Sequence, residues 1–387
     1  MDSNFHIKNW IEDILNSLFP IKLLSIFPTK IEKYIWDLFQ KILIFFRIIS
    51  PKNNIDLSSI PIRTATFIRE ARKHGISFEV FSSPFGYINY FRMKINGKIF
   101  SFEGLPRAEF LSKPKARIID DKALVKYDLK KYGFPVINGK SFYFFQKKKA
   151  VRWTLDNLGF PVVVKPRNGS LSQFVFTDIQ DNHSLESKIE EVCYFSPLFL
   201  IEEYLDNMDV YRATIIDFDF VFCAKREKAN VIGDGIHDIN YLIEEKNKNE
   251  GRGSGRNTPL FKIIIDEKIE KFLKEKRYTI YSIPKKNEKV YLQKDPFLYL
   301  GGDVIEVTEK VHPDNLKLFQ DIARFFDVRV VALDFMCFNI SQSWKEQKCA
   351  ILELNSLPSI EIHHFPTSGK PKNVAKFLTE MVFKYYS

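Results

Sequence analysis

Ile351-Leu352-Glu353-Leu354-Asn355, continuing as Ser356-Leu357-Pro358 and on to Gly369 (ILELNSLPSIEIHHFPTSG), is the stretch whose reading decides the fold. In a strand, side chains two apart share a face, so Glu353 and Asn355 project together while the leucines turn to the core. A carboxylate beside an amide oxygen is a pair of hard donors suited to Mg2+. Upstream, Val330-Val331-Ala332-Leu333-Asp334 is an apolar run closed by an acid. If the two strands pair, Asp334 completes an oxygen cluster with Glu353 and Asn355. Each residue alone reads as well as a polar strand end meeting water; the three together favour a metal site.

Working outward, Gly159-Phe160-Pro161-Val162-Val163-Val164-Lys165-Pro166 ends a buried strand on a lysine and opens into Arg167-Asn168-Gly169-Ser170. A lysine there can place its ammonium on a phosphate, although most strand-ending lysines are simply solvated. Phe199-Leu200-Ile201-Glu202-Glu203-Tyr204-Leu205 is a strand with an acidic exit. Its backbone groups could read an adenine edge, and Asp209 could accept from ribose hydroxyls. In isolation it is an ordinary strand-to-loop exit.

Composition sets the outer limits. The 387 residues are 45% hydrophobic and 27% charged, which excludes wholesale disorder and fibrous classes and allows two or three packed units. The formal charge of +10 comes with no RNP, helix-turn-helix or zinc-finger pattern, so no nucleic-acid partner is expected. Anionic small substrates suit the same sign. Four cysteines without a CxxC pair read as free thiols in a reducing compartment, and the expected location is cytoplasmic.

Residues 1–50 differ from the rest. Trp10, Ile11, Ile14, Leu15, Leu18 and Phe19 follow helical spacing, and a second helix runs from Ile31 to Ile49 before Pro51. Neither carries the about 20 apolar residues a membrane span needs, and no small-residue cleavage site marks a secretory signal. The segment reads as an arm packed on the body, an oligomerisation surface, or a helix in a membrane interface, with the membrane ranked last. Beyond it, a helix is expected over Ala65–His74, a strand over Ile76–Phe81, and a hairpin over Tyr87–Phe102 turning at Asn96-Gly97. Helices are expected over Asp120–Tyr132 and Lys147–Leu158. Strands are expected at Pro161–Lys165, Phe199–Glu203, Arg212–Ala224, Val328–Phe338 and Cys349–Leu354. Glu244–Thr258 (EEKNKNEGRGSGRNT) should be an exposed loop. The mixture points to α+β.

Taken in order, Asp121-Lys122, VVVKP at 162–166, IEEYL at 201–205, REKANVIGDG at 226–235, the glycine-rich loop NKNEGRGSG at 247–255, VHP at 311–313, LDF at 333–335 and Glu353–Gly369 resemble the ATP-grasp superfamily. The resemblance is to the ATP-grasp domain of cyanophycin synthetases and bifunctional glutathione synthetases. It covers about Lys115 to the C-terminus, extends faintly over 60–110, and does not reach 1–50. It implies an ATP-grasp fold, two α+β subdomains clasping ATP, over 120–387. A small partial α/β domain over 51–119 precedes it, after the helical segment 1–50.

The resemblance also implies roles. Lys122 and Lys165 match lysines that hold ATP phosphates, with Ser170 in the phosphate loop. Glu202, Glu203, Tyr204 and Leu205 match the adenine-reading hinge, and Asp209 the ribose acid. Asp334, Glu353 and Asn355 match the ligands of Mg2+, two ions being expected. Arg226, with Lys165, matches the catalytic cations at the transferred phosphoryl group, and Arg212 and His363 stand where substrate contacts are expected. The implied activity is ATP-dependent amide-bond formation between a carboxylate and an amine, on an amino acid or small peptide, through an acyl phosphate. The chain departs from the pattern after Lys165, where Ser172 and Phe174 stand in place of glycines. That departure motivates the alternative of a nucleotide-binding protein without catalysis, membrane-associated through its N-terminal helices. Ending at Ser387, the sequence lacks the second enzymatic half of either relative, so neither relative's substrate transfers to it. Oligomeric state is open, a homo-oligomer being one reading.

Overall fold

The structure is a computed structural model that describes residues 38, 41–84, 86–107, 119–167 and 174–386. The helix expected within residues 1–37, and Ser170 and Ser172 of the expected phosphate loop, lie outside the described residues. Two units are present: Met1–Arg117 with Leu378–Ser387, and Ile118–Phe377.

The first unit is an antiparallel sheet of β1 (Ser50–Lys52), β2 (Ser77–Ser83), β3 (Gly86–Ile95) and β4 (Lys98–Glu103) in that order, with helix α1 (Ile62–Arg72) between β1 and β2 in the chain. The β3–β4 turn falls at Asn96-Gly97, as expected. Both residues take positive φ, 49° and 78°, the backbone that a two-residue turn of this hand requires. Phe67 of α1 meets Phe78 and Phe91 of the sheet at ring distances of 5.8 and 6.0 Å. Leu43, Ile44 and Ile49 pack against Phe81 and Tyr90, so the described end of the N-terminal segment is packed on this unit. Its helix stops at Phe45 rather than running to Ile49.

In the second unit, helix α2 (Lys122–Lys131) begins at Asp121, whose carboxylate accepts from the N–H groups of Ala123 and Leu124. A four-stranded antiparallel sheet follows, built from β5 (Gly139–Tyr143), β6 (Val162–Pro166), β7 (Phe176–Ile179) and β8 (Leu198–Glu203) in the order β5-β8-β6-β7. Helices α3 (Lys147–Asn157) and α4 (Asn182–Phe195) pack on it through Ala150, Val151, Leu185, Ile189 and Val192, against Phe142, Val162, Val164, Phe199 and Ile201.

The chain then enters a second antiparallel sheet with β9 (Asp209–Ile216) and β10 (Phe220–Glu227). The single strand expected over Arg212–Ala224 is therefore two. Asp217 and Phe218 take φ values of 48° and 68° and reverse the chain, and Arg329 holds Asp217 at 2.6 Å. An insert of β11 (Asn230–Ile232), α5 (Ile239–Asn247), β12 (Arg252–Gly253), β13 (Leu260–Phe261), α6 (Glu267–Glu275) and β14 (Lys289–Tyr291) has its own apolar core around Val231, Ile243, Leu273 and Leu292.

The expected exposed loop over Glu244–Thr258 is corrected by this insert. Its first residues complete α5, and Arg252 is buried, donating to the carbonyls of Phe261 (2.7 Å) and Gly301 (2.9 Å) and pairing with Asp303. Composition marks polarity but cannot show that one arginine in the run has a buried counter-ion. The second sheet is completed by β15 (Asp303–Glu306), β16 (Val330–Cys337) and β17 (Cys349–Asn355), in the order β15-β10-β9-β16-β17. Helix α7 (Pro313–Phe326) backs it, with Phe319 edge-on to Phe335 at 5.3 Å. A short helix α8 (Glu361–His364) and the C-terminal α9 (Val374–Tyr386) end the chain.

Antiparallel sheets with segregated helices make this an α+β fold, as expected. Among the described residues no helix is long and apolar enough to cross a membrane. Gly369 takes φ 89°, and a Cβ there would lie 2.4 Å from the Glu306 carbonyl oxygen. Gly369→Ala is expected to destabilise the protein by about 2 kcal/mol, strain and close approach acting together. A urea midpoint unchanged from wild type would contradict this.

Candidate active site

Strand register builds the first half of the site. On the second sheet Ala224, Arg212 and Asp334 are direct cross-strand partners, Asp334 is paired with Glu353, and Glu306 is paired with Ala224. Opposed residues share a face, so one row reads Glu306, Ala224, Arg212, Asp334, Glu353. The next row brings Thr214 and Asn355 to the two sides of Ala332. Arg226, two residues beyond Ala224, falls on the same face. The pairing of β16 with β17, on which the oxygen cluster depended, is therefore present.

Asp334 is the electrostatic centre of that face. Arg212 grips it with two bonds, Nε to Oδ1 at 2.7 Å and Nη2 to Oδ2 at 2.9 Å, and Arg226 Nη2 lies 3.0 Å from Oδ2. Burial alone would raise the Asp334 carboxyl pKa, but the two guanidinium groups outweigh it and hold the group well below the usual carboxylate range. Burial and the neighbouring Arg212 push Arg226 the other way, below its ordinary value. Glu353, partly exposed, lies 3.6 Å from Lys122 Nζ and 3.9 Å from Arg212 Nη2. Asn355 Oδ1 accepts from the Leu357 N–H at 2.9 Å.

The second half rests on α2. Lys122 and Lys126 are one helical turn apart and therefore on one side of the helix. Lys122 reaches Glu353 on the second sheet, and Lys126 reaches Glu202 on the first. Glu202 is 1% exposed and also accepts from Lys165 Nζ at 2.8 Å. Burial opposes ionisation of Glu202, but its two lysines keep its pKa below the ordinary value. Of the two lysines, Lys126 gives up its proton more readily: burial pushes it down to about 7 against the pull of Glu202. Lys165 goes the other way. Burial opposes its charge, but Glu202 and Glu353 raise its pKa.

At the hinge, β8 is hydrogen-bonded on both sides through Glu202, the Glu203 N–H donates to Asn138 O (3.0 Å), and the Tyr204 N–H donates to Pro161 O (3.1 Å). The Leu205 N–H has no partner among the described residues. Lys294 stands 5.2 Å from the Tyr204 ring centre. Asp209 opens β9 and pairs with Lys225 at 2.8 Å.

The structure thus brings together Lys122, Lys165, Glu202, Arg212, Arg226, Asp334, Glu353 and Asn355. It does not bring His363 to an open surface. His363 is fully buried, with Nδ1 2.7 Å from Glu306 and Nε2 2.9 Å from Thr214. Both ring nitrogens are occupied, so His363 braces the sheet and the expected substrate contact is corrected. The Glu202 side chain is likewise a counter-ion to lysines rather than a free hinge group. Phe174, at the expected glycine position, does take the backbone that glycine favours (φ 55°) and stacks on Phe195 at 3.5 Å.

Sequence reasoning missed Lys126, whose signal was its four-residue spacing from Lys122. It also missed the grip of Arg167 on the Asp121 cap, three contacts from Nε and Nη2 at 2.8 to 3.1 Å. Among the described residues no group of three or more His, Cys, Asp or Glu side chains is arranged to hold a metal. The oxygens of Glu353, Asn355 and Asp334 are nevertheless hard donors in adjoining positions, which fits Mg2+ by chemistry.

No protein-family model matches the chain. Over 334 residues it is 30% identical to the glutathione biosynthesis bifunctional protein GshAB of Clostridium perfringens, a match covering 86% of this chain and 42% of that one. It is 30% identical over 332 residues to the cyanophycin synthetase of Trichormus variabilis, covering 84% and 35% respectively. The crystal structure of a bifunctional glutathione synthetase from Pasteurella multocida superimposes with a TM-score of 0.64 at 24% identity, over 85% of this chain and 44% of that one. The chain spans less than half the length of these relatives.

Breaking a buried charge group by removing its shared partner typically costs about 3–5 kcal/mol. Glu202→Gln, which leaves two buried ammonium groups facing each other, is expected to cost that much. Lys126→Met should cost less, because Lys165 still neutralises Glu202. An unfolded lysine holds its proton to near 10.5. Between about pH 7 and that value the unfolded chain therefore binds more protons here, and this group makes stability rise with pH. Urea denaturation from pH 6 to 9 should show a smaller rise in Lys126→Met; a profile identical to wild type would contradict the assignment.

Proposed function

This chain belongs to the ATP-grasp superfamily, as a relative of cyanophycin synthetases and bifunctional glutathione synthetases, and on that premise we propose that it is an ATP-dependent carboxylate–amine ligase. A carboxylate oxygen of an amino acid or small peptide attacks the γ-phosphorus of ATP. ADP leaves, and the acyl phosphate so formed is captured by an amine, giving an amide and inorganic phosphate. The observation that carries this reading is the convergence of four cations, Lys122, Lys165, Arg212 and Arg226, on two carboxylates of one sheet face and the lysine–glutamate cluster beside it.

In this reading Lys122 and Lys165 hold the phosphates, with Ser170 as a further donor to them. The backbone from Glu202 to Leu205, through Glu203 and Tyr204, borders the adenine, where the Leu205 N–H, unpartnered among the described residues, is a ready donor, and Asp209 takes the ribose. Arg226 and Arg212 orient the reacting carboxylate and offset the charge that builds up on the phosphoryl group in flight, a task of positioning and electrostatics. Glu353, Asn355 and Asp334 would hold Mg2+, two ions in the full site. The metal would neutralise phosphate oxygens and polarise the transferred group. The domain division follows the same reading: a helical segment over 1–50, a preceding domain over 51–119 and the catalytic domain over 120–387. A cytoplasmic location suits ATP as co-substrate. Association with membranes or with further copies of the chain is not part of the proposal.

The alternative, a nucleotide-binding protein that has lost catalysis, is not favoured. The lysines, both carboxylates and Asn355 are all present, and the fold brings them together. ADP release by the full-length protein, screened across amino acids with Mg2+-ATP, tests the proposal. Turnover is expected for at least one pair of substrates. Glu353→Gln and Lys165→Ala should each lower it by at least about 10²-fold with an unchanged circular dichroism spectrum. ATP binding without turnover on any pair would leave the alternative standing, and near-wild-type rates in either variant would sink the site assignment.

A further inference from the structure

Glu361 opens α8, is only 9% exposed, and its Oε2 has no hydrogen-bond partner among the described residues. The other buried carboxylates around the site are all met. Asp334 has Arg212 and Arg226, Glu202 has Lys126 and Lys165, and Glu306 has His363 and Thr308. A buried acceptor left unmet costs about 1–3 kcal/mol and calls for an explanation.

Its neighbours supply one. In α8, Ile362 packs on Ala224 and Val304, and His363 bonds Thr214 and Glu306. Ala224 is the cross-strand partner of Arg212, Thr214 is two residues from Arg212, and Val304 is opposite Arg226. The short helix therefore sits on the face that carries both arginines, with Glu361 at its start. Its charge is among those that raise the pKa of Arg212. The guanidinium of Arg212 is already committed to Asp334, so it does not satisfy Glu361. The same face holds an orphan of opposite sense: Arg226 Nε is buried and has no partner among the described residues. One unmet donor and one unmet acceptor on a single face complement a molecule carrying a carboxylate and an ammonium group.

We propose that Glu361 is a specificity-determining residue that holds the ammonium group of an amino acid whose carboxylate is presented to Arg226. This rests on the ligase reading and narrows its carboxylate substrate to an amino acid with a free amino group. Sites built to bond a polar group discriminate strongly against analogues that lack it.

The test uses the full-length protein with Mg2+-ATP, hydroxylamine as the amine, and paired probes: glycine against acetate, L-alanine against propionate, L-glutamate against glutarate. ADP release should favour the amino-bearing member of at least one pair by tenfold or more in kcat/KM. Glu361→Gln should reduce that preference to within about twofold while leaving the KM for ATP unchanged. Glu361→Asp, which keeps the charge, should retain part of the preference. ADP release with no preference in wild type, or an undiminished preference in Glu361→Gln, overturns the inference and leaves the ligase reading intact. Absence of ADP with every carboxylate and amine counts against the ligase reading. The inference is then decided by calorimetric titration of the same pairs in the presence of Mg2+ and a non-hydrolysable ATP analogue. Amino-selective binding lost in Glu361→Gln upholds it, and equal or absent binding of the two members overturns it. If Glu361→Gln does not fold, the wild-type preference together with Glu361→Asp decides: a preference kept in part upholds the inference, and no preference overturns it.

Discussion

The bidentate bond between Arg212 and Asp334 is the interaction on which the rest of the site depends. Both groups are buried, and an isolated charge in that setting would be expelled or neutralised. They persist because β9 and β16 pair in a register that sets Arg212 directly opposite Asp334. A slip of one residue in either strand would turn one of them to the other face. The same register places Glu353 beside Asp334 and Ala224 beside Arg212, so the sheet leaves room on that face for Arg226 and for α8. Fold and chemistry are here one constraint: the charges specify the register, and the register assembles the charges.

Helix α2 carries the constraint to the other sheet. Its Lys122 and Lys126 face Glu353 and Glu202, on different sheets, from successive turns of one helix. Asp121 caps that helix and is itself held by Arg167 from the end of β6, while Asp120 accepts from the N–H and hydroxyl of Ser356, just beyond β17. Lys165, Arg167, Asn355 and Ser356, which end the key strands of the two sheets, are thus tied to within a few residues of the same helix start. A triphosphate placed against Lys122 and Lys165 would meet groups whose positions are fixed by bonds rather than by flexible reach, the preorganisation that electrostatic catalysis needs.

Much of this was legible in the sequence because strand patterns carry position. The period of two in ILELN shows which side chains share a face, and the acid ending VVALD could join them once the strands paired. Lys165 was readable for the same reason, at the end of an apolar run. What escaped were interactions set by long-range pairing. Lys126 looks like any helical lysine until Glu202 is brought to it from 76 residues away. Arg252 sits in a run whose composition says loop, yet Asp303 buries it. His363 looks like a substrate ligand by its place in a motif, but Glu306 and Thr214 claim both nitrogens. The hairpin at Asp217-Phe218 contains neither glycine nor proline, and its one turn-forming residue, Asp217, is a weak signal inside an apolar run.

Every role proposed for the site depends on a carboxylate being activated here by phosphoryl transfer. If so, the oxygen that attacks the γ-phosphorus stays with phosphorus when the amine displaces phosphate. With an amino acid substrate labelled with 18O in its carboxylate, 31P NMR of the released phosphate reads this directly. One 18O atom is expected in each phosphate formed. Phosphate that is unlabelled while ADP accumulates would mean that water, not a carboxylate, takes the phosphoryl group, and would contradict carboxylate activation.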